Sequence, residues 1–244
     1  MTLAEWIERI KSQFVLNFID ENRWMLLVDG LKVTLTVTFF ALMIGIVIGV
    51  VIAAVRSTYD TNYSRMHNRA AKLVLNIFDK ICRVYITVIR GTPVVVQLLI
   101  LYFVVFVSSN NKIMVAAISF GINSGAYVAE IVRGGIMSID PGQMEAGRSL
   151  GFNYLQTMWY IIIPQTVKNV LPALGNEFIV LIKETSISGY IALQDLTKAG
   201  DIIRGRTYSA FMPLFAVALI YLALVMIFSA LVNRLERRLR QNER

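Results

Sequence analysis

Five apolar stretches divide this chain, and each is close to the length that a helix needs to cross a lipid bilayer. They cover residues 31–55, 84–107, 113–132, 170–193 and 212–232. A spanning helix needs about 20 mostly apolar residues, and only helices or closed barrels satisfy their backbone hydrogen bonds within the hydrocarbon. Because 56% of all residues are apolar, the sequence predicts an all-α integral membrane protein with about five transmembrane helices.

The segment before the first stretch, residues 1–30, has the pattern of a helix that lies in the membrane interface. Trp6, Ile10, Phe14 and Phe18 recur at a helical spacing, while charged and polar side chains occupy the other faces. We therefore expect this segment to lie on the lipid surface. Packing against another part of the protein is the alternative.

Basic residues are concentrated on one side of the predicted membrane protein. They cluster in the loop after the first stretch, around the connection after the third, and in a tail at residues 233–244. Cytoplasmic loops carry an excess of lysine and arginine, so this side is predicted to be cytoplasmic and the N-terminus to be outside. The net charge of +8 then reflects membrane topology, and no nucleic-acid partner is expected.

Side chains that usually carry catalysis or bind metals are scarce. Cys82 is the only cysteine and His67 the only histidine, so neither an internal disulfide nor a metal site is predicted. The sequence contains no phosphate-binding loop of the form G-x-x-x-x-G-K-[ST]. We expect a protein that is not an enzyme, with no catalytic residue and no cofactor of its own.

A polar segment at residues 140–164 interrupts the apolar sequence after the third stretch. Asp140 followed by Pro141 is a typical helix start, because aspartate caps free amides and proline suits the first helical position. Gly151 permits a break, and Pro164 is expected to end or kink the following helical run. Two short helices then form a compact knob suited to a socket in a partner. Its predicted contact residues are Glu145, Ala146, Gly147, Gly151 and Pro164.

Polar side chains inside the third and fourth stretches fall on common helix faces. Asn123 and Tyr127 share one face, and Asn176 and Glu177 belong to a polar stripe on the other helix. A charge at mid-bilayer costs about 2.5–3.5 kcal/mol on insertion scales, so such groups are expected to face protein or a water-filled path. Small-xxx-small pairs at residues 45/49 and 121/125 predict close packing of two helices.

The second stretch contains a bend. Pro93 has no amide hydrogen, so the carbonyl of Ile89 loses its helical donor, and Gly91 adds flexibility. Freed carbonyls beside Thr92 are therefore predicted to serve as acceptors, as the broken helices of transporters do.

Two interpretations of these polar groups remain open. In the first, they line a path for a polar or zwitterionic solute, and Glu177 holds an ammonium group. In the second, Glu177, Lys183, Glu184 and Arg90 pair with each other between helices. The predicted substrate-binding residues of the first interpretation are Glu177, Asn176, Thr92, Asn123 and Tyr127.

Several motifs resemble a known family. The segment Glu145-Ala146-Gly147 to Pro164 resembles the EAA loop of ATP-binding-cassette (ABC) importer permeases, with Gly147 where alanine is usual. Arg90-Gly91-Thr92-Pro93 with Gln97, residues 124–136 and residues 171–178 resemble permeases of the polar amino-acid importers, the histidine/glutamine/arginine type. The resemblance runs from about residue 34 to the basic C-terminus.

This resemblance implies a type I ABC importer permease in the bacterial cytoplasmic (inner) membrane. It implies an ABC ATPase dimer that uses ATP, a second permease copy or paralogue, and an extracytoplasmic amino-acid-binding protein. It also implies that Glu177 is a ligand of the substrate's amino group. The alternatives are a signalling or assembly protein whose knob binds a cytoplasmic partner, and an ion-coupled carrier that uses Glu177 or Glu130.

Overall fold

A computed structural model describes residues 2–241, and all regular secondary structure in that range is helical. The α-helices of this range are α1 (Leu3–Phe14), α2 (Trp24–Asn62), α3 (Arg69–Gly91), α4 (Val94–Ile100), α5 (Lys112–Met137), α6 (Pro141–Ser149), α7 (Tyr154–Thr157), α8 (Ile163–Glu184), α9 (Leu196–Thr207) and α10 (Phe211–Gln241). The predicted all-α architecture is confirmed.

Helices α2 and α5, and α10 as far as Leu239, are each long and apolar enough to cross a membrane. Helix α3 and the run Val94–Val105, which extends α4 by a π-helical turn, meet the same criterion only as a pair bent by 106°. The fourth predicted span corresponds to α8, whose polar stripe lowers its hydropathy below that criterion. It ends at Glu184 rather than near residue 193, and a 3₁₀ turn over Thr185–Ile191 follows.

The N-terminal segment divides into two parts. In α1, which the structure describes in full, no residue is buried, and Trp6, Ile10 and Phe14 are exposed. A π-helical turn over Val15–Ile19 follows, and Phe18 is buried there against α2, α9 and α10. The prediction that Phe18 lies on the membrane-facing side is therefore wrong, because the chain folds back onto the bundle at that point. Residues 24–30 also belong to the first spanning helix rather than to the N-terminal segment.

Close contact between α2 and α5 forms the centre of the bundle. A Cβ atom at Gly49 would stand 2.5 Å from Val128 Cγ1 and 2.8 Å from the backbone nitrogen of Ala129. In the other direction, a Cβ at Gly121 would meet Ile44 at 2.7 Å. The predicted small-residue pairs therefore pack against each other's helix, which confirms their role.

Ion pairs join α2, α3 and α5 at the end of the bundle where α2 ends and α3 begins. Arg56 contacts Glu130 at 2.9 Å and Asp79 at 3.6 Å, and Arg133 contacts Glu130 at 3.1 Å and Asp60 at 3.2 Å. Arg56 and Arg133 belong to the basic groups from which the orientation is predicted, and each is matched by carboxylates here. Removing one member would leave a partly buried charge without its partner.

Gly49→Ala tests the contact between α2 and α5. The added methyl group meets backbone of α5 and has no room to rotate away, so we expect a loss of about 1–3 kcal/mol in stability from overpacking. The measurement is thermal unfolding of the purified protein in detergent. Gly134→Ala is the matched control, because a Cβ there meets no atom within 4 Å. Equal unfolding temperatures for the two variants would contradict the role of Gly49.

Candidate transport path and coupling segment

The segment at residues 140–164, called the coupling segment for the role that its sequence predicts, begins and breaks at the predicted residues. The Asp140 carboxylate accepts a hydrogen bond from the Gly142 amide at 2.8 Å, and α6 starts at Pro141. Gly151 has a φ of 87°, in the left-handed region that favours glycine. The next helix, α7, is capped by Asn153. Two capped helices joined at one glycine make the compact knob that was predicted.

Gly147 is buried inside the knob rather than exposed on its surface, where the sequence predicts a contact residue. A Cβ at this position would stand 2.6 Å from Thr157 Cγ2 and 3.0 Å from Ile161 Cδ1. The Thr157 hydroxyl is fixed because it donates to the Asn153 carbonyl at 3.0 Å. Gly147 therefore sets the distance between α6 and the helix that follows. Glu145 and Ala146, by contrast, are exposed.

Pro164 does not end the helical run, so the expectation that the run stops there is wrong. Helix α7 continues through a π-helical turn over Met158–Ile162 directly into α8, and Pro164 lies in the first turn of α8. Because the run is continuous, Pro164 leaves the carbonyl of Tyr160, four residues earlier, without its usual helical donor. Helix α7 of the knob and the fourth spanning helix are thus one continuous helical run.

Large apolar side chains on the knob were missed from the sequence. Leu150 is 76% exposed, Leu155 74% and Trp159 67%. Helical periodicity assigns large apolar side chains like these to a buried face. Only the packing of α6 on Thr157 shows that they point outward.

The bend between α3 and α4 is held by Gln97. Its amide nitrogen donates to the Ile89 carbonyl at 2.8 Å, to the Thr92 carbonyl at 3.1 Å and to Thr92 Oγ1 at 2.8 Å. Its amide oxygen accepts from Asn123 Nδ2 at 2.9 Å. The carbonyl that Pro93 frees is therefore occupied by a side chain. Thr92 and Asn123 therefore lie close together, because both bind Gln97.

Glu177 is buried between α5 and α8. Ser124 Oγ donates to its carboxylate at 2.7 Å, and Glu177 is 8% exposed. Its neighbour Asn176 is exposed and lines a groove on another side of α8. The predicted polar stripe is thus divided between an inward-facing acid and an outward-facing amide.

Tyr127 has a different neighbour from the other predicted site residues. The Arg90 guanidinium lies 5.1 Å from the centre of its ring, a cation–π contact. No ion pair within residues 2–241 joins Glu177, Lys183, Glu184 or Arg90 to another of these four. The interpretation in which they neutralise each other is wrong, since Glu177 contacts Ser124 and Arg90 contacts Tyr127.

The chain also matches a known family of transport proteins. Residues 70–241 match the family described as binding-protein-dependent transport system inner membrane component. The chain belongs to this family. It is a membrane permease of the type I ABC importer fold, and members of this class leave ATP hydrolysis to a separate subunit.

Curated relatives of the permease cover most of its length. The glutamine transport system permease protein GlnP of Escherichia coli K12 is 39% identical over 168 residues, which are 67% of this chain and 77% of that protein. A putative glutamine transport system permease protein GlnP of Rickettsia felis is 38% identical over 175 residues, or 70% of this chain and 77% of that protein. The predicted family is confirmed.

Solved structures agree with the fold. A crystal structure of an amino acid ABC transporter with histidines is 42% identical and superposes with a TM-score of 0.76, covering 91% of the permease and 98% of that chain. The MetNI methionine ABC transporter in an inward-facing conformation superposes with a TM-score of 0.75 at 20% identity, covering 88% and 97%. The second likeness shows the shared fold alone.

Gln97→Leu tests whether the bend depends on the amide. Leucine keeps much of the volume but leaves the Ile89 carbonyl and the Asn123 amide without this partner, and an unsatisfied buried polar group costs about 1–3 kcal/mol. We expect a lower unfolding temperature and faster amide hydrogen exchange at residues 94–100 of the permease. Val96→Leu, at an exposed position of the same helix, is the control. Unchanged exchange in Gln97→Leu would refute the role of the side chain.

Proposed function

We propose that this permease is the transmembrane subunit of an ATP-driven importer of polar L-amino acids. The observation that carries the proposal is the coupling segment, an exposed two-helix knob that continues without interruption into the helix bearing Glu177 and Asn176. The names of the relatives support the substrate class, since two of them are named for glutamine transport and one solved neighbour is an amino acid transporter with histidines.

The coupling segment binds the ATPase dimer in this proposal. Glu145 and Ala146 are exposed on α6, and Leu150 and Leu155 add apolar surface beside them. Apolar side chains rimmed by charge are typical of a protein interface. This end of the bundle is cytoplasmic, which places the N-terminus outside and the C-terminus inside.

Further partners complete the importer. A second permease copy or a paralogue pairs with this chain, and an extracytoplasmic binding protein delivers the amino acid to the opposite end. ATP is bound and hydrolysed by the partner ATPase.

Alternating access follows from the continuous helical run. When ATP closes the ATPase dimer, the attached knob moves, and its motion passes through the π-helical turn into α8. Rigid elements with two arrangements carry such coupling. Because Gly147 fixes α6 against Thr157, the knob moves as one body rather than deforming. Hydrolysis returns the permease to the inward-open arrangement.

The substrate's ammonium group binds Glu177 in this mechanism. Asn176, Thr92, Asn123 and Tyr127 provide hydrogen bonds and a ring along the path. Ser124 holds one carboxylate position of Glu177, so the acid keeps its orientation while the substrate arrives and leaves.

Glu145→Arg tests the coupling segment. A reversed charge at an exposed helix position leaves the fold intact but disfavours the contact with the ATPase, so substrate-stimulated ATP hydrolysis is expected to fall to the unstimulated level. The measurement is ATPase activity of the importer in proteoliposomes, with the amount of co-purified ATPase as a second readout. Asp29→Arg is the matched reversal, since Asp29 is an exposed acid near the opposite end of α2. Normal substrate-stimulated ATP hydrolysis in Glu145→Arg would contradict the role of this segment in docking the ATPase.

A pair of substitutions separates a substrate-binding role of Glu177 from a purely structural role. Glu177→Gln keeps an acceptor for Ser124 but removes the charge, whereas Ser124→Ala keeps the charge but removes the hydrogen bond. If Glu177 binds the ammonium group, uptake should fall about tenfold or more in Glu177→Gln, the equivalent of about 1.4 kcal/mol, and much less in Ser124→Ala. Radiolabelled amino-acid uptake at matched protein levels measures both. A similar loss in both variants would make Glu177 structural.

A further inference from the structure

A groove lies between α8 and α10 at the end of the bundle nearest the coupling segment. It has a volume of about 570 Å³ and is lined on α8 by Lys168, Asn169, Pro172 and Asn176 and on α10 by Glu236. Sites for small molecules have volumes of about 300–1,000 Å³. The groove is therefore large enough for an amino acid, and its walls carry both signs of charge.

Pro172 adds a backbone acceptor to this groove. Proline has no amide hydrogen, so the carbonyl of Lys168, four residues earlier in α8, lacks its usual helical donor. At Pro93, between α3 and α4, Gln97 donates to the freed carbonyl of Ile89. Among the side chains that the structure describes, none donates a hydrogen bond to the Lys168 carbonyl. An ammonium group is well suited to such an acceptor.

The side-chain amide nitrogen of Asn169 is fixed by a hydrogen bond. Its Nδ2 donates to Ser138 Oγ at the end of α5 at 3.2 Å, which leaves the amide oxygen as a second acceptor at the groove. The groove thus presents a cationic amine on α8, a carboxylate on α10, and neutral acceptors between them. This set complements a zwitterion, whose carboxylate and ammonium groups need opposite partners a few bonds apart.

We propose that this groove is a second amino-acid subsite, on the ATPase side of Glu177, in which Lys168 binds the carboxylate and Glu236 with the Lys168 carbonyl binds the ammonium group. The subsite rests on the proposed function and names an exit stage of the same path. Asn176 lines the groove and directly precedes Glu177 in α8, and the two side chains face different sides of that helix. An amino acid released from Glu177 enters the groove before it reaches the cytoplasm.

Equilibrium binding to the purified importer, with its ATPase attached and without the binding protein, tests the proposal. The probes are radiolabelled L-glutamine, L-arginine and L-histidine, with N-acetyl-L-glutamine and L-glutamine amide as competitors that each lack one charged group. We expect two classes of site for at least one amino acid. Lys168→Ala with Glu236→Ala should weaken one class tenfold or more, and Glu177→Gln should weaken the other. Neither competitor should displace the amino acid from the groove.

Arg237→Ala is the control, because Arg237 is an exposed charge beside Glu236, and it should keep both classes. Lys168→Gln, which keeps a polar side chain of similar reach, replaces the double variant if that variant does not assemble, and should still weaken the groove class.

If both classes of binding site persist unchanged in these variants, the groove subsite is overturned. The proposed function still stands in that case, provided that the wild-type importer shows ATP-driven uptake. Loss of the ATPase from the variant complex with unchanged affinity would show a subunit contact instead and also overturn it. A wild-type importer that neither binds nor takes up any of the amino acids would overturn the proposed function itself.

Discussion

Direct contact between the backbones of α2 and α5 positions the other parts of this permease. In a membrane the hydrophobic effect does not drive helices together, so association depends on close packing and on polar contacts. Gly49 and Gly121 allow the two helices to approach so closely that a Cβ atom added at either glycine would clash with the other helix. Close to this contact lie the bend at Thr92, which is joined to α5 through Gln97 and Asn123, and the ion pairs around Arg56.

Polar groups within the membrane-spanning helices are paired by hydrogen bonds. Gln97 occupies the carbonyl that Pro93 frees, and Ser124 occupies the carboxylate of Glu177. Each contact solves a stability problem, because an unpaired polar group in lipid is expensive. In the proposed mechanism, each contact also places a polar side chain close to the path, so that a substrate replaces only part of an existing hydrogen-bond set.

In the proposed mechanism, the continuous helical run from α7 to α8 connects the ATPase with the transport path. A knob on a flexible loop would move without moving the helix behind it. Here the π-helical turn directly precedes Pro164, and the helical run continues past it. Gly147 then joins α6 to this run by contact with Thr157. In the proposed mechanism, α6, α7 and α8 therefore move together.

Local sequence determined the helical class, the cap at Asp140, the break at Gly151 and the bend at Pro93, because capping, left-handed backbone and a missing amide act within a few residues. Family motifs added the type of permease. Only the tertiary structure decided which side chain fills the freed carbonyl, that Ser124 lies opposite Glu177, and that Phe18 points inward. Such pairings join residues far apart in the chain, and they depend on how each helix is rotated and where it crosses its neighbour. Periodicity identifies a polar face but leaves open what that face meets, which packing alone sets.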